Sequence, residues 1–158
     1  MRKITLFLMI AVFLVACGQD SSVATIENPS PDQEMASSKA GLSLLLEEHS
    51  YMGSPSVIAT TIKNDSIQDF GFGEYFHIEL KRESGWHIVT HSDAVFINNP
   101  QLNDFGRVLA AGNETDMQFS VKELGIELAP GEYRIVKTFL SQEAPIFEIS
   151  IASSFVVK

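Results

Sequence analysis

From Gly41 to the C-terminus apolar residues recur on a period of two, and turn residues break the pattern at short intervals. Leu42, Leu44 and Leu46 alternate in GLSLLLEE, and VIATTIK (57–63) is β-branched and ends at the turn residues Asn64, Asp65 and Ser66. In YFHIELK (75–81) the alternation sends Phe76, Ile78 and Leu80 to a core and Tyr75, His77 and Glu79 to solvent. The turn Arg82-Glu83-Ser84-Gly85 leads into a short strand, WHIVT. Thr115, Met117, Phe119 and Val121 alternate with Asp116, Gln118 and Ser120. After Ala129-Pro130-Gly131 the chain runs EYRIVKTFL, and a last strand lies within IFEISIASSFVVK. About seven or eight short strands with few helix signals predict an all-β, antiparallel sandwich over residues 41–158. KELGIEL (122–128) adds one helical or irregular turn, and Phe70-Gly71-Phe72-Gly73 reads as a turn with buried phenylalanines.

A different pattern holds before residue 41. GQDSSVATIENPSPDQEMASSK, rich in Ser, Pro and acids and without periodicity, predicts a disordered tether, so that residues 17–40 form a linker. Upstream, Met1-Arg2-Lys3 is a short basic start and ITLFLMIAVFLV (4–15) is apolar, which is the layout of a signal peptide over residues 1–16. A membrane-spanning helix needs about 20 apolar residues, more than this run supplies before Gly18-Gln19-Asp20. Leu14-Val15-Ala16-Cys17 resembles the lipobox of bacterial lipoprotein precursors. That resemblance implies cleavage before Cys17, diacylglycerol on its thiol, and a domain facing outward from the cytoplasmic membrane. The only cysteine of the chain is then an anchor. Two acyl chains at about 0.8 kcal/mol per buried CH₂ hold stably where one is marginal.

Charge narrows the partners. Arg2 and Lys3 leave with the leader, so the remaining chain carries 9 of the 11 basic residues against all 20 acidic ones, a net charge of −11. That balance excludes a phosphate-neutralising nucleic-acid surface and a polybasic hold on anionic lipid. With no second cysteine the domain has no disulfide and depends on its core.

Asn64-Asp65-Ser66, FGFGEYFHIE (70–79), Gly85-Trp86, Val89, Ala94-Val95-Phe96 and above all LAPGEYRIVKTF (128–139) resemble a bacterial immunoglobulin-like domain found on secreted and lipid-anchored proteins. The resemblance covers roughly residues 41–140 and implies an immunoglobulin-like sandwich and no catalytic residues. On physical grounds Pro130-Gly131 makes a corner, with Pro fixing φ and Gly permitting positive φ. Tyr133 then buries its ring and returns its hydroxyl to upstream backbone, as in the tyrosine corner of such sandwiches. Trp86, the only tryptophan, is read as a core plug.

Residues that carry chemistry elsewhere are present without the spacing they need. His87 and His91 share a strand face but stand about 13 Å apart, too far for one ion, and the histidines are read as exposed polar residues. Asp93, Asp104, Glu114 and Asp116 lack the spacing of a calcium loop. No phosphate loop, serine elbow or free thiol is found in the domain. The reading is therefore a non-enzymatic binding or adhesion module with no metal and no cofactor, taking a protein, peptide or cell-wall ligand. Asn98, Asn99, Leu102 and Asn103 in the polar loop 97–105 are the candidate binding residues. Two alternatives stay open: a protease inhibitor that offers this loop, as another bacterial Ig-like family does, and an accessory subunit of an envelope complex.

Overall fold

The computed structural model describes residues 23–91, Val95 and residues 106–158. Eleven strands occur among them: β1 (Ser38–Lys39), β2 (Leu42–Leu46), β3 (Ser50–Tyr51), β4 (Val57–Asn64), β5 (Phe70–Phe72), β6 (His77–Arg82), β7 (Gly85–Ile88), β8 (Arg107–Leu109), β9 (Glu114–Ser120), β10 (Gly131–Ser141) and β11 (Glu148–Val157). One sheet runs β1-β2-β4-β9. The other runs β3-β11-β10-β5-β8, with β6 also on β10 and β7 on β6. Every pairing is antiparallel except β3 with β11.

The sheets close on side chains that the period of two selects. Leu42, Leu44 and Leu46 of β2, Ile58 and Ile62 of β4, and Met117 and Phe119 of β9 face Ile78, Tyr133, Ile135, Phe139, Ile149, Ile151 and Phe155 of the second sheet in one cluster. In the last strand Val157 stands opposite Gly131 and Ile149 opposite Phe139. KELGIEL forms an irregular turn. Phe70-Gly71-Phe72 is a strand rather than a turn: Phe70 and Gly71 pair with Ser141 and Leu140, and both phenylalanines are buried. Between the stretches of β10 that pair with β6 and with β5, buried Lys137 donates to Gly73 O and, at 2.7 Å, to Tyr75 O. Burial lowers its pKa to about 8, the Arg107 charge adding to the shift and Glu74 opposing it.

The linker expected over residues 17–40 is corrected from Val23 onward. Residues 24–30 run along the free edge of β7: Thr90 N donates to Ala24 O at 2.9 Å, Ile26 N to Ile88 O at 2.8 Å and Ser30 N to Trp86 O at 2.7 Å. The chain then crosses the outer face of the second sheet, where Arg134 donates to Asp32 O and Gln33 O, and reaches β11 through Ala152 N to Ala36 O at 2.9 Å. This strap is held mainly by backbone atoms, and such bonds need neither apolar residues nor periodicity. It supplies the edge of β7 with the partners an open strand lacks.

Three side-chain expectations change with the strap. Glu79, expected in solvent, is 0 % exposed and lies under it, paired with Arg134. Trp86, expected as a core plug, is buried but stands outside the core cluster, on the strap side, with the Arg134 guanidinium 4.7 Å and the Lys81 ammonium 4.8 Å from its ring centroid. His87, expected exposed, is buried, its Nδ1 donating to Ile26 O at 3.0 Å and its Nε2 paired with Ser84 Oγ at 2.7 Å. Glu79 and Trp86 stand on the outer face that the strap covers, whereas His87, opposite Leu80, meets the strap backbone at the β7 edge.

Candidate functional site

One end of the sandwich gathers three loops: 65–69 after β4, 110–113 between β8 and β9, and 142–147 between β10 and β11. Asn64 joins them. A β-branched strand that ends in Asn-Asp-Ser invites a turn in which the Asn side chain replaces a backbone partner. Asn64 Oδ1 accepts from Ser66 N at 3.1 Å and Ser66 Oγ at 2.6 Å, while Nδ2 donates to Gln68 O at 2.8 Å and Leu109 O at 3.1 Å. Its backbone bonds Asn113 O and Gly112 N. Asp69 Oδ1 accepts from Ala111 N at 2.8 Å and Asp69 O from Gln142 N at 3.1 Å, linking the first loop to the other two. Within the third loop, buried Ser141 Oγ accepts from Phe147 N at 2.9 Å and donates to Pro145 O at 3.1 Å.

On this scaffold stand Ile67, 94 % exposed, Ile146, 60 % exposed, and Phe147, 38 % exposed, with Val108 of β8 exposed nearby in the sheet. Asp65, Asp69, Glu143 and Glu148 flank the three loop residues in sequence. Apolar tips on loops pinned by buried polar groups present dry surface at little ordering cost, which suits recognition better than catalysis. Sequence reading missed them, although SIQD and EAPIF each set an apolar residue among turn residues.

The other polar concentration lies under the strap. Glu79 Oε2 accepts from Arg134 Nε at 2.6 Å, and Oε1 accepts from Ser30 Oγ at 2.6 Å and pairs with His77 Nε2 at 3.1 Å. Burial pushes this carboxyl up, but the hydrogen bonds from His77, Ser30 and Arg134 and the Arg134 charge together outweigh it and hold Glu79 below the usual carboxylate range. The cluster is closed over and internally paired, so its role is to fasten the strap.

The residues nominated from sequence fall in different places. Tyr133 is fully buried, stacked on Phe155 with centroids 5.6 Å apart, and its hydroxyl donates to Ala129 O at 2.7 Å. Pro130 precedes β10, and Gly131 opens it. Gly131 does not use positive φ, contrary to expectation. Its missing Cβ leaves room for Leu80 Cδ1 and the Tyr133 ring, which a Cβ would meet at 3.2 and 3.3 Å. Leu14, Val15, Ala16, Cys17, Asn98, Asn99, Leu102 and Asn103 lie outside the described residues. Of the acids considered for calcium, Glu114 pairs with Lys63 at 2.8 Å and Asp116 accepts from Thr61 Oγ1 at 2.9 Å, while Asp93 and Asp104 lie outside the described residues. Among the described residues no group of three or more His, Cys, Asp or Glu is arranged to hold a metal ion.

Residues 38–155 match the family described as Bacterial Ig-like domain. No curated protein matches the chain.

Proposed function

The chain belongs to the bacterial Ig-like domain family, and from that membership we propose that it is a non-catalytic, extracytoplasmic binding or adhesion module held on a membrane by lipid at Cys17. The observation that carries the binding reading is the loop end, where Ile67, Ile146 and Phe147 stand exposed on loops tied to one another through Asn64 and Asp69. A partner of complementary chemistry presents an apolar surface with basic groups around it. The leader followed by Leu14-Val15-Ala16-Cys17 supports the anchor. The loop 97–105, with Asn98, Asn99, Leu102 and Asn103, is proposed as a second part of the surface on its length and its asparagines.

A photo-crosslinking residue placed at Ile67, at Leu102 or at Glu48 on live cells tests this. Adducts are expected from Ile67, with loss of yield when Ile146→Asp is added, and the inhibitor reading would show instead as a protease captured at Leu102. Equal adducts at all three positions, or substrate turnover by the purified domain, would overturn the binding reading. The anchor stands on its own test: Cys17→Ser is expected to abolish palmitate labelling and membrane fractionation, and unchanged labelling would refute it.

A further inference from the structure

The place where the chain joins the domain limits how far the domain can stand from a lipid on Cys17. Val23 is already fixed: its side chain is in the core cluster, and its carbonyl accepts from Arg82 Nη2 at 2.9 Å. Arg82 Nε also donates to Thr25 Oγ1 at 3.2 Å, and Ala24 O accepts from Thr90 N. The peptide steps from Cys17 to Val23, at 3.3–3.6 Å each, bound the separation of the two residues at about 20 Å. Had the chain been loose up to β1 at Ser38, the same bound would be about 70 Å. Docking of the strap therefore shortens the leash more than threefold and moves its attachment to the β7 edge.

Resting on the lipid-anchor reading, we infer that the β7 edge of the sandwich, covered by residues 24–30, faces the headgroup surface of the membrane that holds the lipid. Along the second sheet the order β7-β6-β10-β11-β3 puts β3 four strand spacings away, about 19 Å at 4.8 Å each. The β3 edge then points away from the bilayer. With a sheet edge toward the membrane the strands lie parallel to it, and the loop end bearing Ile67 and Ile146 looks sideways along the surface. A partner held in or on the same membrane meets that end without leaving the bilayer. The hold comes from the leash alone, because the mature chain is net acidic and Arg82 is engaged with the strap.

The test uses the lipidated full chain in phosphatidylcholine vesicles containing a headgroup quencher, with a thiol dye at Glu27→Cys beside β7 or at Glu48→Cys next to β3, both exposed. Cys17 is consumed by lipid, so each chain carries one reactive thiol. The dye at position 27 is expected to be quenched several-fold more than the dye at 48. That difference should vanish when about 15 Gly/Ser residues are inserted after Ser21. Equal quenching in chains that float with the vesicles, or a difference that survives the insertion, overturns the orientation and leaves the anchor standing. Failure of the chains to float overturns the anchor, and the orientation with it.

Discussion

Arg134→Met is the substitution with the most to say about how this fold is held. Arg134 and Glu79 are 2 % and 0 % exposed and meet at 2.6 Å. Removing the guanidinium leaves a buried carboxylate with only Ser30 and His77 beside it, and an uncompensated buried charge costs about 3–5 kcal/mol. For a domain whose stability is on the order of 5–15 kcal/mol that is a large fraction, and it corresponds to a fall in Tm on the order of 10–20 °C. The strap carbonyls of Asp32 and Gln33 lose their donor as well, so amide exchange at Ile26 and Ser30 should quicken before global unfolding. Urea midpoints of Arg134→Met, Glu79→Leu and the double variant form a cycle, and the double should be less destabilised than the sum of the singles, since it leaves no charge behind. The sign with pH follows from the lowered Glu79 pKa. The folded value lies below the unfolded one, so its contribution is complete above the unfolded value and is lost as pH falls through the folded value. The gap between the native chain and Glu79→Leu should narrow in acid. Strict additivity in the cycle, or a shift under 1 kcal/mol for Arg134→Met, would refute the reasoning.

Lys137 has a folded pKa of about 8 against 10.5 for the free side chain, so the unfolded chain binds more protons between those values and stability should rise with pH across that window. The slope is bounded by about 1.4 kcal/mol per pH unit, and a flat urea midpoint from pH 8 to 10 would contradict it. Tyr133→Phe should cost about 1 kcal/mol for the bond to Ala129 O, whereas Tyr133→Ala should cost about 3–5 kcal/mol by denaturation for the lost ring. Ala40 sits at φ 53° beside Gly41 at φ 84° in the β1–β2 turn, so Ala40→Gly should raise stability by up to about 1 kcal/mol. Gly41→Ala should lower stability, because a Cβ there would meet Ser66 N at 2.8 Å, and its thermal melt should show the drop.

The longer strands β2, β4, β6, β9, β10 and β11, with the short β7, were legible one by one because alternation is a local property, residues two apart sharing a face whatever the rest of the chain does. The short β1, β3, β5 and β8 offer too few residues to show it. Leu42, Leu44, Ile58, Ile62, Met117, Phe119, Tyr133, Ile135 and Phe139 could each be assigned to a core that way. Asn64 could be read as a turn from its neighbours, though not as the residue that ties three loops together, since Leu109 and Asn113 reach it only through the sheets. Composition and order in the first 20 residues carry the lipobox resemblance, and with it the expectation of a leader and the position proposed for an anchor.

Tertiary structure alone decided what lies over the outer face of the second sheet. Glu79 bonds Ser30, 49 residues away, and Arg134, 55 residues away, and no period of two or turn signal carries a relation of that length. Residues 24–37 look like free linker because their few apolar side chains, Ile26 and Met35 among them, follow no period. They dock because an open strand edge and a buried guanidinium offer hydrogen bonds to any backbone that arrives in register. Burial of a charged residue is thus set by which distant segment covers it, and local alternation, which reports only the face a residue occupies, is silent on whether that face meets water.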